Sequence, residues 1–291
     1  MKCDICVREA KPHSIDCPRC YKRVNVNGYH RHARRVGLKG RYDPLVDLFR
    51  CFFTNVAMPD DDPLSPYYVA CSCKVPRDYS VILPNCAFTA VMKSEMSDTE
   101  LIAVVPHLDD HIQKGAPFIR DLVPFAYWNR RPRPKKAAPL FTGLPPAASG
   151  KTCSICIRPP YKTSPYCERC RRIIRPKDDR PSVVAGLKEN YDPAADGFRC
   201  IYSGEILNTD DMYDPWFLVM DHLVPGQRKM APSAAWANGM KGGMTYMVFL
   251  KALAEFANHI RTREPFDTSV ITRDEWKRNL LHMRLMGRKV A

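Results

Sequence analysis

The cysteines come in pairs, and the pairs come twice. "CDIC" (Cys3, Cys6) and "CPRC" (Cys17, Cys20) recur as "CSIC" (Cys153, Cys156) and "CERC" (Cys167, Cys170). Both sets read C-x-x-C, ten residues, C-x-x-C, and Cys153 follows Cys3 by 150 positions. The match continues past the cysteines. Tyr42 of "YDP" recurs as Tyr191, Cys51 of "FRC" as Cys200, and His111 of "HIQKGAPF" as His259 of "HIRTREPF". The offset falls from 150 to 148 along the way, so the chain is one unit written twice in tandem. Two turns of this kind bring four thiolates to the corners of a tetrahedron, the arrangement structural Zn²⁺ takes. Such a site has no open position, so it serves folding rather than catalysis. Redox dithiols would need a thioredoxin-like βαβ context, which the pattern lacks.

With 291 residues, the chain is long enough for two domains. It has no apolar leader and no apolar run of the roughly 18 residues a membrane helix needs. An intracellular, non-secreted protein with no membrane partner is expected. Its 13 cysteines then point to metal rather than disulfides. Cys51, Cys200, Cys71, Cys73 and Cys86 are expected to be buried thiols. A net charge of +14 favours a polyanionic partner, with nucleic acid first. Basic clusters support this: Arg31, Arg34, Arg35, Lys39 and Arg41 after the first knuckle, and Arg169, Arg171, Arg172, Arg175 and Lys177 around the second. Of these, Arg34, Arg35, Arg171 and Arg172 are the candidates for phosphate contact.

The expected domains are 1–123, a Pro-rich basic linker over 124–150, a second domain over 151–266, and a basic tail over 267–291. Thr272 and Glu275 have capping-box spacing and predict a helix in that tail. Within each copy the order is knuckle, basic segment, hairpin, strand and helix. "FRCIYSGEIL" predicts a hairpin turning at Ser203-Gly204. The helical stripes are Leu101, Val105, Leu108 and Ile112 in the first copy and Phe249, Leu253, Phe256 and Ile260 in the second. Each is expected to close its own copy. Ser97 with Glu100, and Thr245, are the expected helix caps.

The second copy reads "FRCIYSG…VMDHLVPG…WANGMKGG". A hairpin, then D-H-x-x-P, then N-x-x-K-G resembles the HNH, or His-Me finger, nuclease superfamily over about Tyr191 to Ile260. The resemblance implies an α+β fold of two tandem zinc-knuckle plus ββα-metal domains joined by a Pro-rich linker, with a basic C-terminal helix. It implies a metal-dependent endonuclease acting on DNA, most simply double-stranded. His222 would be the general base, Asp221 and Asn238 would hold one Mg²⁺ or Mn²⁺, and Lys241 would contact phosphate. The chemistry is consistent. A neutral His can take a proton from water near pH 7, and a hard cation needs oxygen ligands. The family has a further Asn between these motifs. Here that stretch is "GQRKMAPSAAWA", which leaves Gln227, Ser233 or a backbone carbonyl for its role.

The first copy has "ACSCKVP" where the second has "VMDHLVP". Asp221 meets Ser72, His222 meets Cys73 and Asn238 meets Ala90, while the Pro, Met-Lys and knuckle frame persists. Joint loss of three residues on a kept scaffold fits a catalytic site that only the second copy retains. The first copy then binds nucleic acid or scaffolds. The rival function is a non-enzymatic nucleic-acid-binding or scaffolding protein with a relic nuclease site. Lys241 and His259 recur as Lys93 and His111, which marks them as structural.

Overall fold

The computed structural model describes residues 1–26, 30–123, 152–174, 180–224 and 227–276. The expected linker 124–150, Pro225, Arg175, Lys177 and the part of the expected basic tail beyond Trp276 lie outside the described residues. The fold mixes α and β elements, and its sheets have only two or three strands.

In the first repeat a knuckle leads into α1 (Pro18–Val24) and α2 (Arg31–Lys39). A three-stranded sheet follows, of β1 (Tyr42–Asp43), β2 (Leu48–Arg50) and β3 (Ala57–Met58). A hairpin of β4 (Val69–Val75) and β5 (Asp78–Cys86) then runs into α3 (Ala87–Lys93) and α4 (Asp98–Lys114). The second repeat reproduces this order. It has α5 (Glu168–Ile174), α6 (Arg180–Glu189), β6 (Tyr191–Asp192), β7 (Gly197–Phe198), β8 (Leu218–His222), β9 (Met230–Ala234), α7 (Ala235–Lys241) and α8 (Tyr246–Thr262). Among the described residues no helix is long and apolar enough to cross a membrane.

The registers of the two hairpins coincide. Ser72 pairs with Leu83 and Cys73 with Ile82; Asp221 pairs with Ala231 and His222 with Met230. Asp221 thus holds the rung of Ser72, and His222 that of Cys73. The helix behind each hairpin lies against its backbone. A Cβ on Gly37 would collide with the Ile82 carbonyl oxygen, and one on Gly186 with that of Met230. Only glycine permits this approach, and in the second repeat it is made at the residue opposite His222.

The expected hairpin forms and turns at Gly204, φ +67°: Arg199 and Ile206 bridge antiparallel, Cys200 N–H donates to the Glu205 carbonyl at 2.8 Å and Leu207 N–H to the Phe198 carbonyl at 2.8 Å. The main hairpin of the second repeat is β8 with β9. "MAPSA" does not read as a strand because Pro232 removes a donor. Among the described residues its strand partner is β8, and on the other side Pro232 takes part through its carbonyl, which accepts from Ile201 N–H at 3.0 Å.

The caps form as expected. Ser97 N–H donates to Glu100 Oε2 at 2.7 Å and Glu100 N–H to Ser97 Oγ at 3.3 Å, while Thr245 Oγ1 accepts from Val248 N–H at 3.2 Å. The stripes are buried at Leu101, Val105, Leu108, Phe249, Leu253 and Phe256.

Where α8 packs differs from expectation. The chain forms two compact units, residues 1–109 with 240–291, and residues 110–239. In the first unit, α8 covers the first repeat. Phe256 meets Phe53 and Phe88 edge-on at 6.1 and 6.4 Å, and His259 Nε2 lies 3.0 Å from the Phe53 carbonyl oxygen. Phe266 packs on Phe88 and Tyr67 at 5.3 and 6.3 Å. In the second unit the first repeat supplies the matching ring. Phe118 stacks on Trp236 at 5.6 Å and meets Trp216 at 5.8 Å. Apolar periodicity shows that a helix has a buried face; it does not say which core that face meets.

One ion cluster ties each knuckle to its sheet. Asp47, at φ +52° in the β1–β2 turn, accepts from Arg8, Arg19 and Tyr42. Asp196, at φ +42°, accepts from Arg158, Arg169 and Tyr191. The Tyr42 hydroxyl and the two guanidiniums hold Asp47 below the ordinary carboxylate range. Burial opposes ionisation of Asp196, but its donors outweigh that and also hold it low.

Two outcomes follow from this packing. Phe256→Ala should cost about 3–5 kcal/mol and speed hydrogen exchange in β4 and β5, in the other repeat. Unchanged exchange there would show that α8 does not support the first repeat. The second outcome concerns pH. A carboxylate with a depressed folded pKa stabilises fully above its unfolded value, and that contribution is lost as pH falls through the folded one. The stability advantage of wild type over Asp47→Asn/Asp196→Asn should therefore be constant at neutral pH and shrink below about pH 5. A pH-independent difference in denaturant melts would remove the clusters from the account.

Candidate metal centres and active site

Four buried cysteines converge in each repeat: Cys3, Cys6, Cys17 and Cys20, then Cys153, Cys156, Cys167 and Cys170. Within each set the ligand atoms lie within 4.8 Å of one another. Local folding places them. Cys17 caps α1, and its Sγ accepts from Cys20 N–H at 3.4 Å; Cys167 accepts from Cys170 N–H at 3.4 Å. Ile5 N–H donates to Cys3 Sγ and Ile155 N–H to Cys153 Sγ, at 3.5 and 3.4 Å. The Cys6–Cys17 and Cys156–Cys167 sulfurs are 3.5 Å apart, and Cys6–Cys20 and Cys156–Cys170 are 3.6 and 3.7 Å apart. A tetrahedron with Zn–S bonds of about 2.3 Å has edges of about 3.8 Å. The sulfurs therefore already sit near zinc-ligand spacing, and both sets could hold Zn²⁺. Burial pushes the Cys6 thiol up. Zinc takes its cysteine ligands as thiolates, so metal loading would release protons.

The other candidates lie on β8, β9 and α7. Asp221 is 3% exposed, and its Oδ2 accepts from the Tyr202 hydroxyl at 2.5 Å. His222, the next residue on β8, is half-buried, as is Asn238 on α7. Carboxylate and amide oxygens suit a hard divalent cation, so the donor set fits Mg²⁺ or Mn²⁺. Ser233 occupies the rung of Asn85, and its hydroxyl donates to the Ala234 carbonyl at 3.1 Å. Gln227 is exposed.

In the first repeat the corresponding positions are differently satisfied. The Asn85 amide donates to Ser72 Oγ. The Lys93 ammonium meets the Cys73 carbonyl and pairs with Asp98 at 2.9 Å. Lys241, its counterpart, is 1% exposed. His259 Nδ1 lies 2.5 Å from the Glu264 carbonyl and His111 Nδ1 lies 2.6 Å from that of Ala116, so both are anchored to backbone.

Sequence reasoning missed Tyr202. The usable signal was a double difference: Tyr202 and Asp221 stand where the first copy has Phe53 and Ser72.

The candidate phosphate contacts are engaged within the chain. Arg35 pairs with Asp16 at 2.8 Å, and Arg171 and Arg172 with Glu168 at 3.0 and 3.1 Å. Arg34 donates to the Val26 carbonyl.

Comparison with protein-family models, with curated proteins and with solved structures found no match.

Metal analysis of the purified chain should give about two zinc ions, one for each closed four-cysteine set. Cys170→Ser should lower this to about one and unfold the second knuckle, while the first stays loaded. Disulfide-paired thiols in place of zinc would refute the assignment.

Proposed function

We propose that the chain is a metal-dependent endonuclease of the HNH type, hydrolysing phosphodiester bonds of DNA in the second repeat. One observation carries this reading. β8–β9–α7 bears Asp221, His222 and Asn238, while β4–β5–α3, in the same register, bears Ser72, Cys73 and Ala90. A buried acid needed only for stability gives no reason for all three to change together on a kept frame.

In this reading His222 takes a proton from the attacking water. Its position on β8 is fixed from behind by the close contact of Gly186 with Met230. Asp221 and Asn238 hold a divalent cation, which when bound neutralises phosphate charge and stabilises the leaving oxygen. Tyr202 holds the Asp221 carboxylate. Lys241 is the weakest candidate for phosphate, because it is enclosed and its counterpart Lys93 is committed to Asp98. The +14 charge supplies the long-range attraction to the polyanion.

One observation favours the rival reading, a nucleic-acid-binding or scaffolding protein with a relic site. The Ser233 hydroxyl donates to the adjacent backbone carbonyl, so it does not serve as the family's additional Asn.

A plasmid assay separates the two. Wild type should nick supercoiled DNA only with Mg²⁺ or Mn²⁺. His222→Ala should lower the rate by about 10²–10⁴ with zinc content unchanged. Cys73→Ala, at the matching rung of the first repeat, should leave the rate unaltered. No nicking by wild type with either metal would move the protein to the scaffold class, and metal-independent nicking or full activity in His222→Ala would refute the site as assigned.

A further inference from the structure

We infer that Tyr202 is a positioning residue: its hydroxyl sets the orientation in which the Asp221 carboxylate receives a divalent cation. This rests on the reading of Asp221 as a metal ligand and deepens it. Tyr202 is 1% exposed and Asp221 3% exposed, and the phenol donates to Oδ2 at 2.5 Å. A carboxylate on a strand can still rotate about its last side-chain torsion. A donor fixed on one oxygen sets the plane of the group. Hydrogen bonds to ligating carboxylates commonly do this at metal sites.

The first repeat shows that the hydroxyl is not there for packing. Phe53 stands at the place of Tyr202 and is 8% exposed, so the same ring without its oxygen fills that position. The hydroxyl and the carboxylate are absent together, since Ser72 holds the rung of Asp221. What replaces them is local. Asn85 on β5 donates to Ser72 on β4, whereas in the second repeat Ser233 holds the Asn85 rung and its hydroxyl turns to Ala234. One repeat satisfies this strand within the hairpin. The other satisfies it from the Gly204 turn, through a residue that can hold an anion in place.

The test is Mn²⁺ binding to the full chain with its knuckles preloaded with zinc, followed by the electron paramagnetic resonance signal of free Mn²⁺. The variants are Tyr202→Phe, Asp221→Ser and His222→Ala. Phenylalanine is already accommodated at the equivalent place in the first repeat, and zinc content and melting temperature check folding. Wild type and His222→Ala should bind Mn²⁺ alike, and Asp221→Ser should lose the site. Tyr202→Phe should weaken binding about tenfold or more. In cleavage assays it should raise the half-saturating Mn²⁺ concentration by the same factor and approach the wild-type rate at saturation. Wild-type Mn²⁺ affinity in Tyr202→Phe, with Asp221→Ser still defective, would overturn the role of Tyr202 alone. Wild-type affinity in Asp221→Ser would overturn the metal-ligand reading and the role of Tyr202 with it.

Discussion

Four sulfurs held within 4.8 Å of one another are the constraint from which each repeat is built. The sheets are ladders of two or three short strands, too small to stand without further ties. The knuckle supplies the first tie by fixing where α1 and α5 begin. From there Arg19 and Arg169 reach the turn carboxylates, Asp47 and Asp196, which Arg8 and Arg158 hold from the knuckle side. Cysteine set, knuckle, carboxylate and sheet thus form one mechanical series in each repeat. Its repetition with the same partners explains how two copies of differing sequence keep one register.

On that shared frame the two copies are an internal comparison of what the hairpin can carry. In the first copy Asn85 on β5 donates to Ser72 on β4, and Lys93 on α3 pairs with Asp98 on α4. Both pairings are made among that copy's own neighbouring elements. The second copy places an acid on the same rung and holds it with a phenol from a different segment. A buried carboxylate is costly without donors or a cation; the Tyr202 hydroxyl is one donor, and metal binding is the further role proposed for the pair.

Much of this was legible in the sequence, and the rest was hidden for identifiable reasons. The knuckles were plain because C-x-x-C spacing leaves few other geometries. The caps at Ser97 and Thr245 and the stripes on α4 and α8 were plain because they are local. β9 was hidden because Pro232 and three small residues carry no strand signal. Tyr202 was hidden because one aromatic in a hairpin reads as core; its meaning lies in a partner 19 positions away. The internal partners of the arginine clusters were hidden because charge runs do not show them. Arg35, Arg171 and Arg172 face Asp16 and Glu168. The target of α8 was hidden because it is a long-range choice between two similar cores.

That last choice bears on why a copy without Asp, His and Asn keeps its whole frame. The apolar face of α8 includes Phe249, Leu253 and Phe256, all at most 1% exposed. Phe256 is covered by Phe53 and Phe88, and His259 is anchored on the Phe53 carbonyl, all from the first repeat. Removing the first repeat would expose that face and strand the imidazole. In the other unit, Phe118 from the first repeat packs on Trp216 and Trp236, and Trp236 lies on the helix that carries Asn238. Cores of this density respond to single lost rings, because neighbours relax only in part. The first repeat therefore stays under structural constraint whether or not it does chemistry. Ser72, Cys73 and Ala90 take no part in the ring contacts made by Phe256 and Phe118, so the three positions can differ between the copies while those contacts stay.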